Sequence, residues 1–214
     1  MTEALTIWTY DWVPLGPRGH VRDIRLRWAC EEAGLDYEVK SVPFKDRGPE
    51  HFARQPFGQV PFLVDNDITV FESGACLLYL ARKSEKLMPR DEKGAAETLQ
   101  WTIAALNSIE MVTVPWWFLS LSGDRENGLA DWLRKRLGQL EEILRASDWL
   151  AASRFTVADL LMADVLRVPA LRAFAASPVI DVYIDRACDR EPFRKAVADQ
   201  LAHFHAADGS KVGS

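Results

Sequence analysis

β-Branched and aromatic residues crowd positions 5–10 (LTIWTY), and two prolines and two glycines follow between Asp11 and Gly19, so the chain opens with a predicted strand and loop. From His20 to Ala33, Val21, Ile24 and Trp28 recur at helical spacing, while Leu26, Ala29 and Ala33 widen the apolar zone to a second face. This predicts a helix covered on both sides, with Gly34 as its stop. Tyr37–Val42 is a second predicted strand. Residues 44–57 are polar and punctuated by Pro and Gly, with no periodicity that fixes their structure. Val60–Val64 and Ile68–Phe71 flank Asp65-Asn66-Asp67, the pattern of a β-hairpin with a three-residue loop, and Ser73–Ala81 follows as a helix.

Beyond residue 95 the strand signals vanish and the periodicity becomes helical, over Ala95–Leu121, Leu129–Ala146, Thr156–Ala176, Val179–Arg190 and Pro192–Phe204. Pro115 lies inside the first of these and predicts a kink there. The expected organisation is a βαβ, connection, ββα domain over 1–83, a charged linker over 84–94 interrupted by Pro89, an all-helical domain over 95–208, and a tail over 209–214.

Composition narrows the function. The 214 residues suit one large domain or two small ones, and 48% hydrophobic with 27% charged residues excludes a disordered chain. No apolar run approaches the length of a membrane span, so no membrane partner is expected. Lys and Arg number 26 against 31 Asp and Glu, a net charge of −5, and neither half has a basic excess, which argues against a nucleic-acid partner. The first residues lack a basic stretch followed by an apolar core, so no secretory signal is expected. Three cysteines, Cys30, Cys76 and Cys188, lie far apart without a CxxC pair, which fits a reducing, cytoplasmic location and disfavours a disulfide scaffold or dithiol enzyme. GxSxG, GxGxxG, P-loop and HExxH patterns are absent. His203 and His205 alternate near the terminus, where a frayed helix end is the expectation and no metal site is.

The stretch Gln55–Leu80, QPFGQVPFLVDNDITVFESGACLLYL, resembles the glutathione S-transferase family, whose first domain carries N-P-x-G-x-V-P, a hairpin and an E/Q-S helix start in this order. About 80 residues on, SRFTVADLLMADVL resembles the family's F-[ST]-x-A-D helix start; there Thr156 and Asp159 would form a capping box, and Phe155 and Leu160 a hydrophobic staple. The resemblance implies an α/β thioredoxin-like N-terminal domain plus an all-α C-terminal domain. It also implies a homodimer that binds glutathione as co-substrate, with no metal, and conjugates it to small hydrophobic electrophiles in detoxification. Glutathione-dependent peroxide reduction, dehalogenation or isomerisation would begin with the same thiolate. A non-catalytic glutathione-binding or interaction module is the alternative of a different class.

Site residues follow by position. The resemblance implies a cis Val60–Pro61 peptide, which would turn the backbone of Val60 outward to pair with the cysteinyl backbone of glutathione. Ser73, at a helix N-terminus, would hold the γ-glutamyl carboxylate, and Glu72 its ammonium. Gln59, with Lys45 or Arg54, would meet the glycyl end. A free thiol with pKa near 8.5 is only about 3% thiolate at pH 7, and lowering it by about two units takes about 2.7 kcal/mol. Family classes supply the activator as a Tyr ending the first strand, or as a Ser or Cys starting the first helix. Here Tyr10 ends the strand, before a longer loop, and no Ser or Cys lies between Tyr10 and Arg27. His20 holds the Ser/Cys position. The candidates are Tyr10, then His20, then the backbone N–H groups around Arg18 to His20. Arg18, Arg22 and Arg25, at helical spacing, would raise the local potential or form a solvated basic face. Trp12, Val13, Met111 and Trp116 are expected as apolar walls for the second substrate between the domains.

Overall fold

The computed structural model of the protein describes residues 5–208; the expected tail lies outside them. Contacts gather the chain into two units, one comprising residues up to Ser84 together with those from Glu191 onward, the other Glu85–Arg190.

In the first unit, β1 (Leu5–Tyr10), α1 (Asp23–Ala33), β2 (Tyr37–Val42), α2 (Pro49–Arg54), β3 (Phe62–Asp65), β4 (Ile68–Phe71) and α3 (Ser73–Ala81) follow in order. The sheet runs β2-β1-β3-β4, with β1 parallel to β2 and antiparallel to β3, and β3 antiparallel to β4. This is the thioredoxin-like arrangement. Strand alternation divides the β1 side chains between two faces. Trp8 stacks on Phe62 at 5.3 Å, and the α2 residue His51 meets Phe62 at 5.6 Å, so Trp8 and Tyr10 face α2. Ile7 and Thr9 are buried on the opposite face, where α1 and α3 pack on each other. α1 ends at Gly34 with φ +69, the left-handed cap that glycine adopts without penalty. It begins at Asp23, so His20 lies in the turn before it. The hairpin loop is two residues, not three: Asp65 pairs with Ile68, and Asn66 takes φ +55.

The second unit holds α4 (Glu92–Ala104), a π-helical segment Ala105–Glu110, α5 (Met111–Ser120), α6 (Ala130–Ala146), α7 (Val157–Leu166), α8 (Pro169–Ala175) and α9 (Pro178–Cys188). The irregularity expected at Pro115 is found upstream, in the π-helical turns, while α5 continues through the proline. Every residue of α7 is buried, and the predicted capping box is present. The Asp159 carboxylate accepts the N–H groups of Leu150 (2.8 Å) and Thr156 (2.9 Å) and the Tyr183 hydroxyl (3.1 Å). Burial nevertheless pushes its pKa up to about 6. The linker is packed rather than loose, since Leu87 is buried and its carbonyl accepts the Val157 N–H at 2.9 Å.

The last helix, α10 (Glu191–Ala206), belongs to the first unit instead of the helical one. It packs on α1, with the Phe193 and Trp28 rings 4.6 Å apart. Its end is not frayed at His203, whose Nε2–H donates to the Tyr10 carbonyl at 2.9 Å.

Candidate functional site

The QPFGQVP segment builds the approach to β3 from local bonds. Gln55 is buried; its Oε1 accepts the Phe57 N–H at 2.7 Å and its carbonyl the Gly58 N–H at 2.9 Å. Gly58 takes φ +63, and a Cβ there would lie 2.7 Å from the Phe52 ring, so only glycine fits. Arg47, a loop residue the sequence patterns did not single out, donates to the carbonyls of Gly58 and Phe44. Val60–Pro61 is cis. Gln59 is exposed, Val60 half-buried and Pro61 buried. Among the described residues Val60 makes no backbone hydrogen bond, which leaves its N–H and C=O unpaired two residues ahead of β3.

At the start of α3, Glu72 takes φ +68, an uncommon conformation for a residue with a Cβ, and among the described residues no side chain caps the helix. Ser73 is the first helical residue and not the cap. The first-turn N–H groups are thus open to water or a ligand. Ser73 is buried, and its Oγ accepts from Arg25 Nη1 at 3.0 Å. Because Oγ is the acceptor in that bond, its own hydrogen can donate outward. The expected basic face dissolves: Arg25 is buried on Ser73, and Arg18 is buried with bonds to the Val13 carbonyl and the Asp208 carboxylate. Arg18 and Trp12 hold Asp208 well below the usual carboxylate range.

The three proposed thiol activators fare differently. The N–H groups of Arg18, Gly19 and His20 are already donated, to the carbonyls of Leu15 and Pro17 and, for Gly19, to the Gln200 side chain at 3.0 Å. That excludes the backbone option at those positions. Tyr10 is half-buried on the α2 face, its ring edge-on to Phe44 at 5.2 Å and under the Arg47 guanidinium at 5.1 Å, with its oxygen 3.4 Å from Arg47 Nη1. His20 is half-buried just ahead of α1, the helix that reaches Ser73 through Arg25.

The expected apolar walls divide. Trp116 is fully buried in the second unit, its ring 4.5 Å from Phe174 and its Nε1–H bonded to the Arg125 carbonyl at 3.0 Å; it is core and not an open wall. The Val13 side chain is likewise buried. Trp12 is half-buried and donates to Asp208 at 2.9 Å, whereas Met111 is exposed on α5. Lys45 is exposed; Arg54 lies over the Trp8 ring at 5.2 Å. The cysteines offer no thiolate: burial raises the Cys30 thiol and pushes Cys76 and Cys188 up to about 12. No group of three or more His, Cys, Asp or Glu among the described residues is arranged to hold a metal, and no helix among them is long and apolar enough to cross a membrane.

Residues 15–82 match the glutathione S-transferase N-terminal domain and residues 129–191 the glutathione S-transferase C-terminal domain. The chain is 34% identical over 178 residues to glutathione S-transferase 1 of Zea mays, covering 74% of this chain and 80% of that one. It is 35% identical over 147 residues to glutathione S-transferase 1 of Schizosaccharomyces pombe, covering 62% and 64%. Among solved structures, a glutathione transferase from Pseudomonas putida with one glutathione disulfide bound per subunit shares the fold, with a TM-score of 0.77, 20% identity and 91% of each chain covered.

Proposed function

Because the chain belongs to the glutathione S-transferase family, a family of transferase enzymes, we propose that it binds glutathione and activates its thiol for transfer to small hydrophobic electrophiles. The observation that carries this reading is the uncapped start of α3, where Ser73 is backed by the buried Arg25 guanidinium. The γ-glutamyl carboxylate takes the Ser73 hydroxyl hydrogen and the first-turn N–H groups, favoured by the helix dipole. Glu72, one residue earlier, pairs with the neighbouring ammonium. The cysteinyl backbone pairs with the unused N–H and C=O of Val60 as one further strand. Gln59 and Lys45, both exposed, meet the glycyl carboxylate, Pro61 leads from them into β3, and Trp12, in the same unit, is the remaining apolar contact for the electrophile.

His20 is the activator this arrangement favours. Tyr10 and the α3 N-terminus belong to opposite faces of the sheet, whereas His20 introduces α1, on the Ser73 side. An imidazole there accepts the thiol proton, or as a cation stabilises the thiolate, and the N-terminus of α1 adds its dipole. Peroxide, halide and isomerisation chemistry would use the same thiolate, and the electrophile alone separates them. Assembly as a homodimer in the cytoplasm is part of the same proposal, supported by exposed Phe57 and Phe71, whose rings lie 6.4 Å apart.

Calorimetry with glutathione and thiolate absorbance of the complex test the reading together. Ser73→Ala is expected to weaken binding about tenfold, roughly 1.4 kcal/mol. His20→Ala is expected to leave affinity nearly unchanged while returning the bound thiol toward its free pKa. Absence of binding at millimolar glutathione would refute the proposal. A bound thiol no more acidic than free glutathione would instead favour the non-catalytic binding module, and an effect of Tyr10→Phe in place of His20→Ala would reassign the activator.

A further inference from the structure

Besides its own turns and the bonds of Asp11 to Val42 and Phe44, the loop between β1 and α1 is tied down by residues that arrive some 180 positions or more later. Gln200, on α10, is fully buried and grips the loop on both sides of His20. Its Oε1 accepts the Gly19 N–H at 3.0 Å, and its Nε2 donates to the Val21 carbonyl at 2.9 Å. The second Nε2 hydrogen reaches Asp23 Oδ1 at 2.7 Å, and Asp23 Oδ2 accepts from Arg27 Nε at 2.8 Å, so the amide is oriented by a buried ion pair in α1. Two further ties act on the same loop. His203 donates to the Tyr10 carbonyl where the loop begins. Asp208 accepts from Trp12 Nε1 at 2.9 Å and from Arg18 Nη1 at 2.8 Å in its middle.

We propose that α10 and Asp208 form a clasp on the thiol-activating loop, in which Gln200 is the positioning residue for His20. The assignment rests on the glutathione-transferase reading above. A side chain that holds the residues before and after His20 fixes that peptide without touching substrate. The carboxylate and backbone anchors of glutathione, Ser73 and Val60, lie on other elements. Loss of the clasp therefore separates thiol activation from tripeptide binding. A purely structural Gln200 would weaken both or neither. A loop left to find its own conformation forfeits the geometry on which proton transfer depends, where an ångström of misplacement costs on the order of a hundredfold.

The test is Gln200→Met, which keeps side-chain length and removes both hydrogen-bonding functions, measured in the full chain. The expected result is cooperative unfolding, glutathione affinity within about twofold of the parent, a bound-thiol pKa displaced toward that of free glutathione, and kcat lower by on the order of tenfold or more. Parent-like bound-thiol pKa and kcat in a folded Q200M would overturn the clasp while leaving the glutathione reading intact. A parent protein whose bound thiol is no more acidic than free glutathione would overturn both. Should Q200M not fold, Asp208→Ala decides, because that side chain is 44% exposed and its removal opens no core cavity. A several-fold lower kcat with unchanged glutathione KM supports the clasp, and an unchanged kcat rejects it.

Discussion

A buried imidazole without a well-formed hydrogen bond is a standing cost in the unit that carries the candidate site. His51 is buried in α2 against the Phe52 and Phe62 rings, and among the described residues neither of its ring nitrogens meets a partner at hydrogen-bonding geometry, the backbone of Gly58 and Gln59 lying near but not well aligned. Burial is the main cause that lowers its pKa below the usual 6.5, with the backbone of Gly58 and Gln59 pulling the other way. The sign follows directly. In the unfolded chain His51 takes up its proton near pH 6.5, while the folded protein resists doing so; the unfolded state binds more protons as pH falls below that value, and stability is lost. His51→Phe removes two unsatisfied polar atoms and keeps a ring of similar size. It is expected to stabilise the protein by about 1–2 kcal/mol at neutral pH and to reduce the loss of stability between pH 6.5 and 5. Denaturant unfolding at several pH values measures both, and an H51F protein with the parent's pH profile would show that another group governs it.

At the scale of elements, α7 is the helix on which the second unit depends, since all its residues are buried and its start is fixed by the Asp159 carboxylate. Asp159→Ala leaves the Leu150 and Thr156 N–H groups and the Tyr183 hydroxyl without their acceptor, so a loss of about 2–4 kcal/mol is expected in chemical denaturation; a loss below 1 kcal/mol would mean that water replaces the carboxylate. This cap was legible in the sequence because its partners lie three residues apart. Strands β1, β2 and β4 and helix α3 were legible with their bounds for a similar reason, as alternation and helical spacing are local signals. Elements without such a signal were not found. α2 is polar and begins at Pro49, within the 44–57 connection whose Pro/Gly-punctuated sequence carries no period to fix its structure. The break between α7 and α8 lies at Val168-Pro169, where proline at the first helical position restarts a helix without interrupting the apolar period. The site divides the same way. QPFGQVP and Glu72-Ser73 announce themselves through local backbone requirements, whereas the contacts of Arg25 with Ser73 and Gln200 with Gly19 join positions that no sequence period connects.

For the whole molecule, chain order and unit membership disagree, and this has a consequence for folding. The first unit is completed only when α10 returns to it after the second unit has been built. Without α10, Trp28 loses Phe193, the loop before α1 loses Gln200 and Asp208, and Glu31 loses Lys195. Removing one buried aromatic alone costs about 3–5 kcal/mol, against a total stability of about 5–15 kcal/mol for a typical domain. A chain ending at Arg190 still contains every element of the second unit. Hydrogen exchange followed by peptide mapping is expected to show α1 and β1 losing most of their protection in that truncated chain, while α6 and α7 retain theirs. The full-length chain is expected to protect all four. Retained protection of α1 after truncation would mean that α10 contributes little to the first unit. Simultaneous loss in α7 would mean that the two units share one folding transition, in which case cleavage ahead of α10 would unfold the protein throughout instead of disabling its first unit alone.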